Sequence, residues 1–100
     1  MPLYHLALIK FKPGVTAEQI KEWDALMKEM VGKIPGLISL EVNSPLASTA
    51  HRSQGFHRGM VSILEKTEDL NGYIAHPSHL RVKEFGEKLC EEMIVYDLEF

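Results

Sequence analysis

The segment His5-Leu-Ala-Leu-Ile-Lys-Phe11 decides the fold, because it is a short apolar run that ends at Lys12-Pro-Gly14. A run of this kind, bounded by proline and glycine, is typical of a β-strand followed by a turn. Side chains alternate along a strand, so Leu6 and Leu8 share one face. The opposite face carries the odd-numbered residues Ala7, Ile9 and Phe11. Both faces of this strand are apolar, and both need a cover.

Further along the chain, residues at helical spacing follow Thr16, whose side chain is placed to cap a helix together with Gln19. This pattern predicts one long amphipathic helix that ends at Ile34-Pro-Gly36, because the residue before proline leaves the helical region. Apolar segments then predict three more strands, at residues 37–42, 56–64 and 93–100.

Between the third and fourth strands, two short helical segments are predicted, with Thr67 and Ser78 as their capping residues. The step from His76 to Pro77 separates them. The full order is β-α-β-β-α-β, which builds an antiparallel sheet with the helices on one face. We therefore predict an α+β, ferredoxin-like protomer that forms a single domain over residues 1–100.

Residues 43–55 are rich in Asn, Ser, Pro, Thr, Gln and Gly and show little periodicity, so a long loop is predicted. A loop of this length is either a lid over a site or a mobile connection. The sequence leaves its role open.

The third and fourth strands repeat the two-sided pattern of the first. Met60 and Leu64 oppose Val61 and Ile63, and the strand at residues 93–100 alternates in the same way. Helices on one face cover only half of this apolar surface, so a second copy of the chain is expected to cover the rest. The alternative is that the extra residues are isolated surface apolar side chains, which are common. Recurrence in three strands favours a homodimer in which two sheets close face to face into a barrel.

Composition and charge limit the other partners. The chain has 11 Lys and Arg against 14 Asp and Glu, scattered along its length, so a nucleic-acid partner is not expected. Apolar runs are too short to span a bilayer, and the first residues lack a basic leader. We therefore expect no membrane partner, no secretory signal and a cytoplasmic location. Cys90 is the single cysteine, which agrees with a reducing compartment.

Several kinds of chemistry are disfavoured. Cys90 precedes Glu91 and Glu92, an acidic setting that opposes thiolate formation. No glycine-rich phosphate loop is present, so no nucleotide cofactor is implied, and no other cofactor is predicted. His76 and His79 have a spacing that could suit a metal on a helix, but Pro77 interrupts it and no third ligand motif accompanies them. No metal site is predicted.

Four segments together resemble a known family. They are His5 to Lys12, Ile34-Pro-Gly36, Gly72-Tyr-Ile-Ala-His-Pro-Ser-His79 and Ile94-Val-Tyr-Asp97. The chain is similar along nearly its whole length to the stress-responsive dimeric α/β-barrel (Dabb) family, and the Tyr-x-x-His-Pro-x-His segment is the most specific part. The resemblance implies a ferredoxin-like protomer and a barrel-shaped homodimer.

The resemblance also implies site residues. The family includes plant stress proteins of undefined chemistry and a plant polyketide cyclase, which closes a ring by an intramolecular aldol reaction using a tyrosine and a histidine. Their matching positions here are Tyr73 and His79, and His5 and His76 match further histidines of that enzyme. Another pocket histidine of the cyclase is replaced by Arg58. This departure argues against the same substrate for this chain and the cyclase.

Tyr73 and His79 are therefore the candidate catalytic residues, and each has a structural alternative. At a helix start the positive end of the helix dipole keeps a histidine neutral, so His79 suits proton abstraction next to a carbonyl. The alternative is that His79 only hydrogen-bonds the helix start or nearby backbone. Tyr73 is either a hydroxyl donor in the same cavity or a core aromatic residue at helical spacing.

The candidate ligand-binding residues are His5, Arg58, His76 and Met27. His5 shares a strand face with the small Ala7, but a strand histidine more often has its polar atoms satisfied by a neighbour. Arg58 suits an anionic group or extends from the sheet edge, and His76 suits a backbone contact that fixes the break before Pro77. Met27 either packs the core or shapes a pocket for a flexible apolar ligand.

The leading hypothesis is a homodimeric barrel that binds a small apolar oxygenated ligand, a cofactor-independent cyclase or lyase with His79 and Tyr73 as its acid–base residues. The alternative is a non-catalytic, stress-responsive structural or binding homodimer. A third, weaker interpretation is a heme- or quinone-handling monooxygenase of the wider dimeric barrel superfamily.

Overall fold

The computed structural model describes all residues, 1–100, and contains one four-stranded antiparallel sheet. Its strands are β1 (Leu3–Phe11), β2 (Leu37–Asn43), β3 (Arg58–Leu64) and β4 (Cys90–Glu99). The helices are α1 (Ala17–Glu29), α2 (Asp69–Ala75) and α3 (Pro77–Glu87), with a 3-10 helix at Ala47–Arg52. The strand order is β2-β3-β1-β4, which confirms the α+β, ferredoxin-like arrangement. None of the helices is long and apolar enough to cross a membrane.

The odd-numbered residues of β1 form the floor of the core beneath the helices. Leu3 is 2% exposed and Ile9 is 1% exposed. Strand pairing carries this side across the sheet, because Ala7 lies opposite Met60 on β3 and opposite Val95 on β4. The predicted alternation of strand faces is confirmed.

The other face of the sheet, which we call the open face, has no helix over it. It carries aromatic and aliphatic side chains from three strands: Tyr4, Leu6, Leu8, Val61, Ile63, Ile94, Tyr96 and Leu98. Leu8 and Ile94 are paired across β1 and β4, and each is 44% exposed. An apolar surface spanning three adjacent strands is the feature from which a covering partner was predicted.

Helix α1 ends earlier than predicted. Its last residue is Glu29, whereas the sequence pattern extended the helix to Ile34. The chain turns at Gly32, whose φ of 93° is in the left-handed region that glycine adopts readily. Met30 and Ile34 nevertheless stay buried in the core, at 0% and 3% exposure. The helical spacing of buried side chains therefore continues beyond the end of the helix.

Both predicted capping residues near α2 and α3 were wrong. Thr67 does not cap α2, which begins at Asp69, and its hydroxyl instead lies 2.5 Å from the Glu99 carboxylate. Ser78 lies inside α3, and the capping residue is His76, whose Nδ1 accepts a hydrogen bond from the Ser78 N–H at 3.1 Å. Pro77 takes the first position of α3, where its missing N–H costs nothing.

The predicted loop at residues 43–55 contains the 3-10 helix and is anchored near both ends. Ser44 Oγ accepts a hydrogen bond from Arg58 at 2.7 Å. Close to the other end, the Lys10 ammonium lies 4.7 Å from the centre of the Phe56 ring, a cation–π contact.

Helices α1 and α3 pack against each other around Trp23. The Trp23 indole N–H donates to the Val82 carbonyl at 2.9 Å, which satisfies a buried donor. Gly86 lies against the same indole, and a Cβ on Gly86 would fall 2.5 Å from a ring carbon of Trp23. A glycine is therefore required at this crossing for reasons of space.

We predict opposite effects for two glycine substitutions within helices. Gly86→Ala should lower the free energy of unfolding by about 1–3 kcal/mol, because the new methyl group overpacks the contact with Trp23. Gly72→Ala in α2, where no atom lies within 4 Å of the new Cβ, should instead stabilise by up to about 1 kcal/mol through helix propensity. Urea denaturation measures both, and equal effects would contradict this packing.

Candidate functional site

A cavity of about 500 Å³ lies between the helices and the helix-facing side of β1 and β4. Hydrophobic side chains form 10 of its 17 lining residues, so its interior is mostly apolar, as small-molecule sites are. Met93 and Val95 on β4 form part of the wall and are 45% and 51% exposed. The helices leave this side of β4 uncovered, so the cavity opens between α3 and β4.

Three polar rings meet in this cavity. His5 comes from β1, Tyr73 from α2 and His79 from the first turn of α3. The Tyr73 ring centre lies 5.2 Å from that of His5 and 4.7 Å from that of His79. Tyr73 thus lies between two imidazoles contributed by separate elements, and all three residues line the cavity.

His5 is oriented by a carboxylate that sequence analysis did not single out as a site residue. Its Nδ1 lies 2.5 Å from Asp97 Oδ1, and the two residues are paired across β1 and β4. A carboxylate accepts hydrogen bonds, so Nδ1 carries a proton and the neutral ring has its lone pair on Nε2. Asp97 ends the Ile94-Val-Tyr-Asp97 segment, and the sequence pattern could have identified it. It is an acidic residue on the helix-facing side of the last strand, where its neighbours Met93 and Val95 are apolar.

Tyr73 is buried and held as a neutral phenol. It is 1% exposed, and burial raises its pKa to about 12. The nearby Ser62 side chain acts in the opposite direction, and the charge of Asp97 adds to the rise in the pKa. At neutral pH the hydroxyl therefore keeps its proton and is available as a hydrogen-bond donor.

His79 is arranged as a neutral base. Its Nδ1 lies 3.0 Å from the Ile74 carbonyl oxygen, which only accepts, so the lone pair of the neutral ring is on Nε2. Burial lowers the pKa of His79 and is the largest cause, the hydrogen bond to the Ile74 carbonyl raises it, and the positive charge of Lys83 lowers it further, as does His5 when that ring is protonated. We predicted that the helix start keeps this ring neutral, but burial is the largest cause.

Of the three other candidate residues, the structure places one in the cavity and two outside it. Met27 lines the cavity at 1% exposure. His76 does not line it, because its ring turns back to cap α3. Arg58 does not line it either, because its guanidinium forms an ion pair with Asp24 on α1 and also contacts Ser44. The structure thus brings together four of the six candidates: His5, Met27, Tyr73 and His79.

Neither His57 nor Cys90 adds a nucleophile to the cavity. His57 lies outside the cavity, where its Nδ1 accepts a hydrogen bond from the Phe11 N–H at 3.0 Å. Cys90 does line the cavity, but burial raises the pKa of its thiol, and the charge of Lys12 only partly offsets this. No group of three or more His, Cys, Asp or Glu side chains is placed to hold a metal ion.

These features define a ferredoxin-like α+β protein with an apolar cavity, in which a phenol donor lies between two imidazoles. Such a set can polarise a carbonyl oxygen and move a proton at the adjacent carbon. The chain belongs to the stress responsive A/B barrel domain family, whose sequence profile matches residues 3–100.

Similar proteins include enzymes and a dimer. Olivetolic acid cyclase from Cannabis sativa is 23% identical over 97 residues, which are 97% of this chain and 95% of the cyclase. Hydroxynitrile lyase from Passiflora edulis superposes with a TM-score of 0.87 at 17% identity, covering 97% of this chain and 91% of the lyase. A dimeric ferredoxin-like protein from Thermobifida fusca gives a TM-score of 0.86 at 18% identity, covering 100% and 92% of the two chains.

We predict that His79 titrates below the ordinary histidine value of 6.5. Its pKa is lower in the folded chain than in the unfolded one, so the unfolded chain takes up the proton first as the pH falls. The stability that depends on a neutral His79 is complete above pH 6.5 and is lost as the pH drops through the folded pKa. An NMR titration of the His79 ring measures this, with His79→Gln to assign the resonance. A midpoint at or above 6.5 would contradict the burial of the ring.

Proposed function

We propose that this chain forms a face-to-face homodimer in which each protomer binds a small, apolar, oxygenated carbonyl compound and catalyses a lyase or cyclase reaction without a cofactor. The observation that carries this proposal is the meeting of His5, Tyr73 and His79 in one apolar cavity. Two imidazoles with fixed tautomers and a phenol that keeps its proton are the parts that acid–base chemistry at a carbonyl requires.

The homodimer follows from the open face of the sheet. Tyr96 is 65% exposed and Leu98 is 49% exposed, and they continue the apolar surface formed by Leu8 and Ile94. A two-fold contact buries such a surface with a single self-complementary patch. The dimeric ferredoxin-like relative from Thermobifida fusca supports this assembly.

We predict that Leu8→Lys converts the dimer to a monomer while the protomer stays folded. Leu8 lies near the centre of the open face and is already 44% exposed within the protomer, so the charge is costly only where two sheets meet. Sedimentation velocity measures the change. Leu80→Lys is the matched control, because Leu80 is a 49% exposed apolar residue on α3, away from the open face, and this variant should stay dimeric. A monomeric wild-type chain at micromolar concentration would overturn the homodimer.

The proposed chemistry assigns one role to each ring. His79 Nε2 accepts a proton from the carbon next to the substrate carbonyl, and the electron pair of the broken C–H bond forms an enolate. The Tyr73 hydroxyl donates a hydrogen bond to the oxygen on which negative charge develops. The enolate carbon then attacks a second carbonyl of the same molecule, and the resulting alkoxide takes a proton from His79. His5, oriented by Asp97, presents a second nitrogen to the ligand.

Two enzymes among the similar proteins support the proposed lyase or cyclase activity. One name describes a cyclase, and the other describes a lyase that acts on a hydroxynitrile. Arg58 remains outside the proposed site, because Asp24 already neutralises its guanidinium.

A non-catalytic homodimer is the second candidate, and one contact favours it. The bond from His79 to the Ile74 carbonyl joins α3 to α2 across the break at Pro77, which is a structural role in itself. In that case His79 would stabilise the helix pair and the cavity would only bind a ligand. Substitution of His79 separates the two candidates.

We predict that His79→Ala lowers turnover by about 10²–10⁴-fold, the usual contribution of a general base. Turnover is measured with a panel that contains poly-β-keto thioesters, hydroxynitriles and simple ketones, the last by exchange of the carbon-bound proton with deuterium. Tyr73→Phe, which removes the oxyanion donor, should cost about 10²-fold. His51→Ala is the control, because this histidine is exposed on the 3-10 helix and does not line the cavity.

Melting curves complete this experiment. Equal turnover by wild type and His79→Ala, together with a lower melting temperature of the variant, would replace the catalytic proposal with the structural one.

A further inference from the structure

Lys83 is a charged residue of the cavity that the proposed chemistry does not use. It lines the cavity on α3, four residues after His79. Residues in this i, i+4 relation lie on the same face of a helix. The chain contains three ion pairs, and Lys83 is in none of them. An exposed cation without an ion-pair partner therefore stands beside the proposed base.

Three glutamates also line the cavity, and none of them forms an ion pair with Lys83. Glu92 is paired with Lys10 at 3.3 Å. Glu87 lies one helical turn beyond Lys83, on the side away from His79. Lys83 is therefore the charged residue of this helix face that lies next to the proposed base.

The pKa of His79 agrees with this placement. Burial is the main cause of its lowering, and the charge of Lys83 lowers the pKa further. The Lys83 ammonium therefore acts on the ring of the proposed base.

We propose that Lys83 is a specificity-determining residue, which selects substrates that carry a carboxylate in addition to the carbonyl group that His79 and Tyr73 address. This inference rests on the proposed function, because it assumes that a carbonyl compound occupies the cavity. The substrate class is an oxo acid in which an apolar body separates the carbonyl group from the carboxylate. The carboxylate contacts the ammonium at the mouth, and the apolar body lies against the aliphatic wall.

A matched pair of probes tests this. Para-formylbenzoate carries an aldehyde and a carboxylate on opposite sides of an apolar ring, and its methyl ester has nearly the same shape without the charge. Calorimetric titration gives the Kd of each probe. At low ionic strength the wild type should bind the acid about three- to fivefold more tightly than the ester, as a partly exposed ion pair allows. Salt should reduce this preference.

Variants separate the charge from the shape of Lys83. Lys83→Met keeps the length of the side chain and should abolish the preference for the acid, whereas Lys83→Arg should retain it. Glu87→Gln, on the same face of α3, removes an opposing charge and should increase the preference. The His79 ring provides a readout without a ligand, because its NMR titration midpoint should rise in Lys83→Met.

The outcomes distinguish the two proposals. If acid and ester bind the wild type equally, or if Lys83→Met keeps the preference for the acid, Lys83 does not select the substrate, although the cavity still binds carbonyl compounds. If neither probe binds, the proposed function fails, and this inference fails with it.

Discussion

The alternation of side chains along β1 is the constraint on which the rest of the structure depends. Its odd-numbered residues point under the helices, where they form both the floor of the core and part of the cavity. Its even-numbered residues point to the open face. Because the period of a strand is two residues, a shift of pairing by one position would move His5 out of the cavity and away from Asp97. The same register therefore fixes the core, the site and the apolar face.

Much of the fold was predictable because it depends on local patterns. Apolar runs bounded by proline and glycine marked the strands, and the two-sided pattern marked the open face. The end of α1 was not predictable in this way, since Met30 and Ile34 remain buried after the helix has ended at Glu29. The cap of α3 was also missed, because histidine is not among the residues that usually cap a helix.

The site was predictable only in part, for a different reason. The Tyr-x-x-His-Pro-x-His segment placed Tyr73 and His79 within one short stretch, and resemblance to a family supplied their roles. The contact between His5 and Asp97 joins residues at opposite ends of the chain, and only the pairing of β1 with β4 brings them together. Arg58 faces the helices as its strand position requires, but Asp24 on α1 binds it, a long-range contact that no sequence spacing indicates.

Burial gives the two main rings complementary protonation states. Loss of solvent disfavours the charged form of any group, so it raises the pKa of the Tyr73 phenol and lowers that of the His79 imidazole. One environment thus produces a donor that keeps its proton beside a base that stays unprotonated. The edge strand β4 links this site to the open face, since Asp97 and Val95 face the cavity while Tyr96 and Ile94 face the opposite way. Covering the open face would therefore restrain the strand that holds Asp97, and the orientation of His5 depends on that strand.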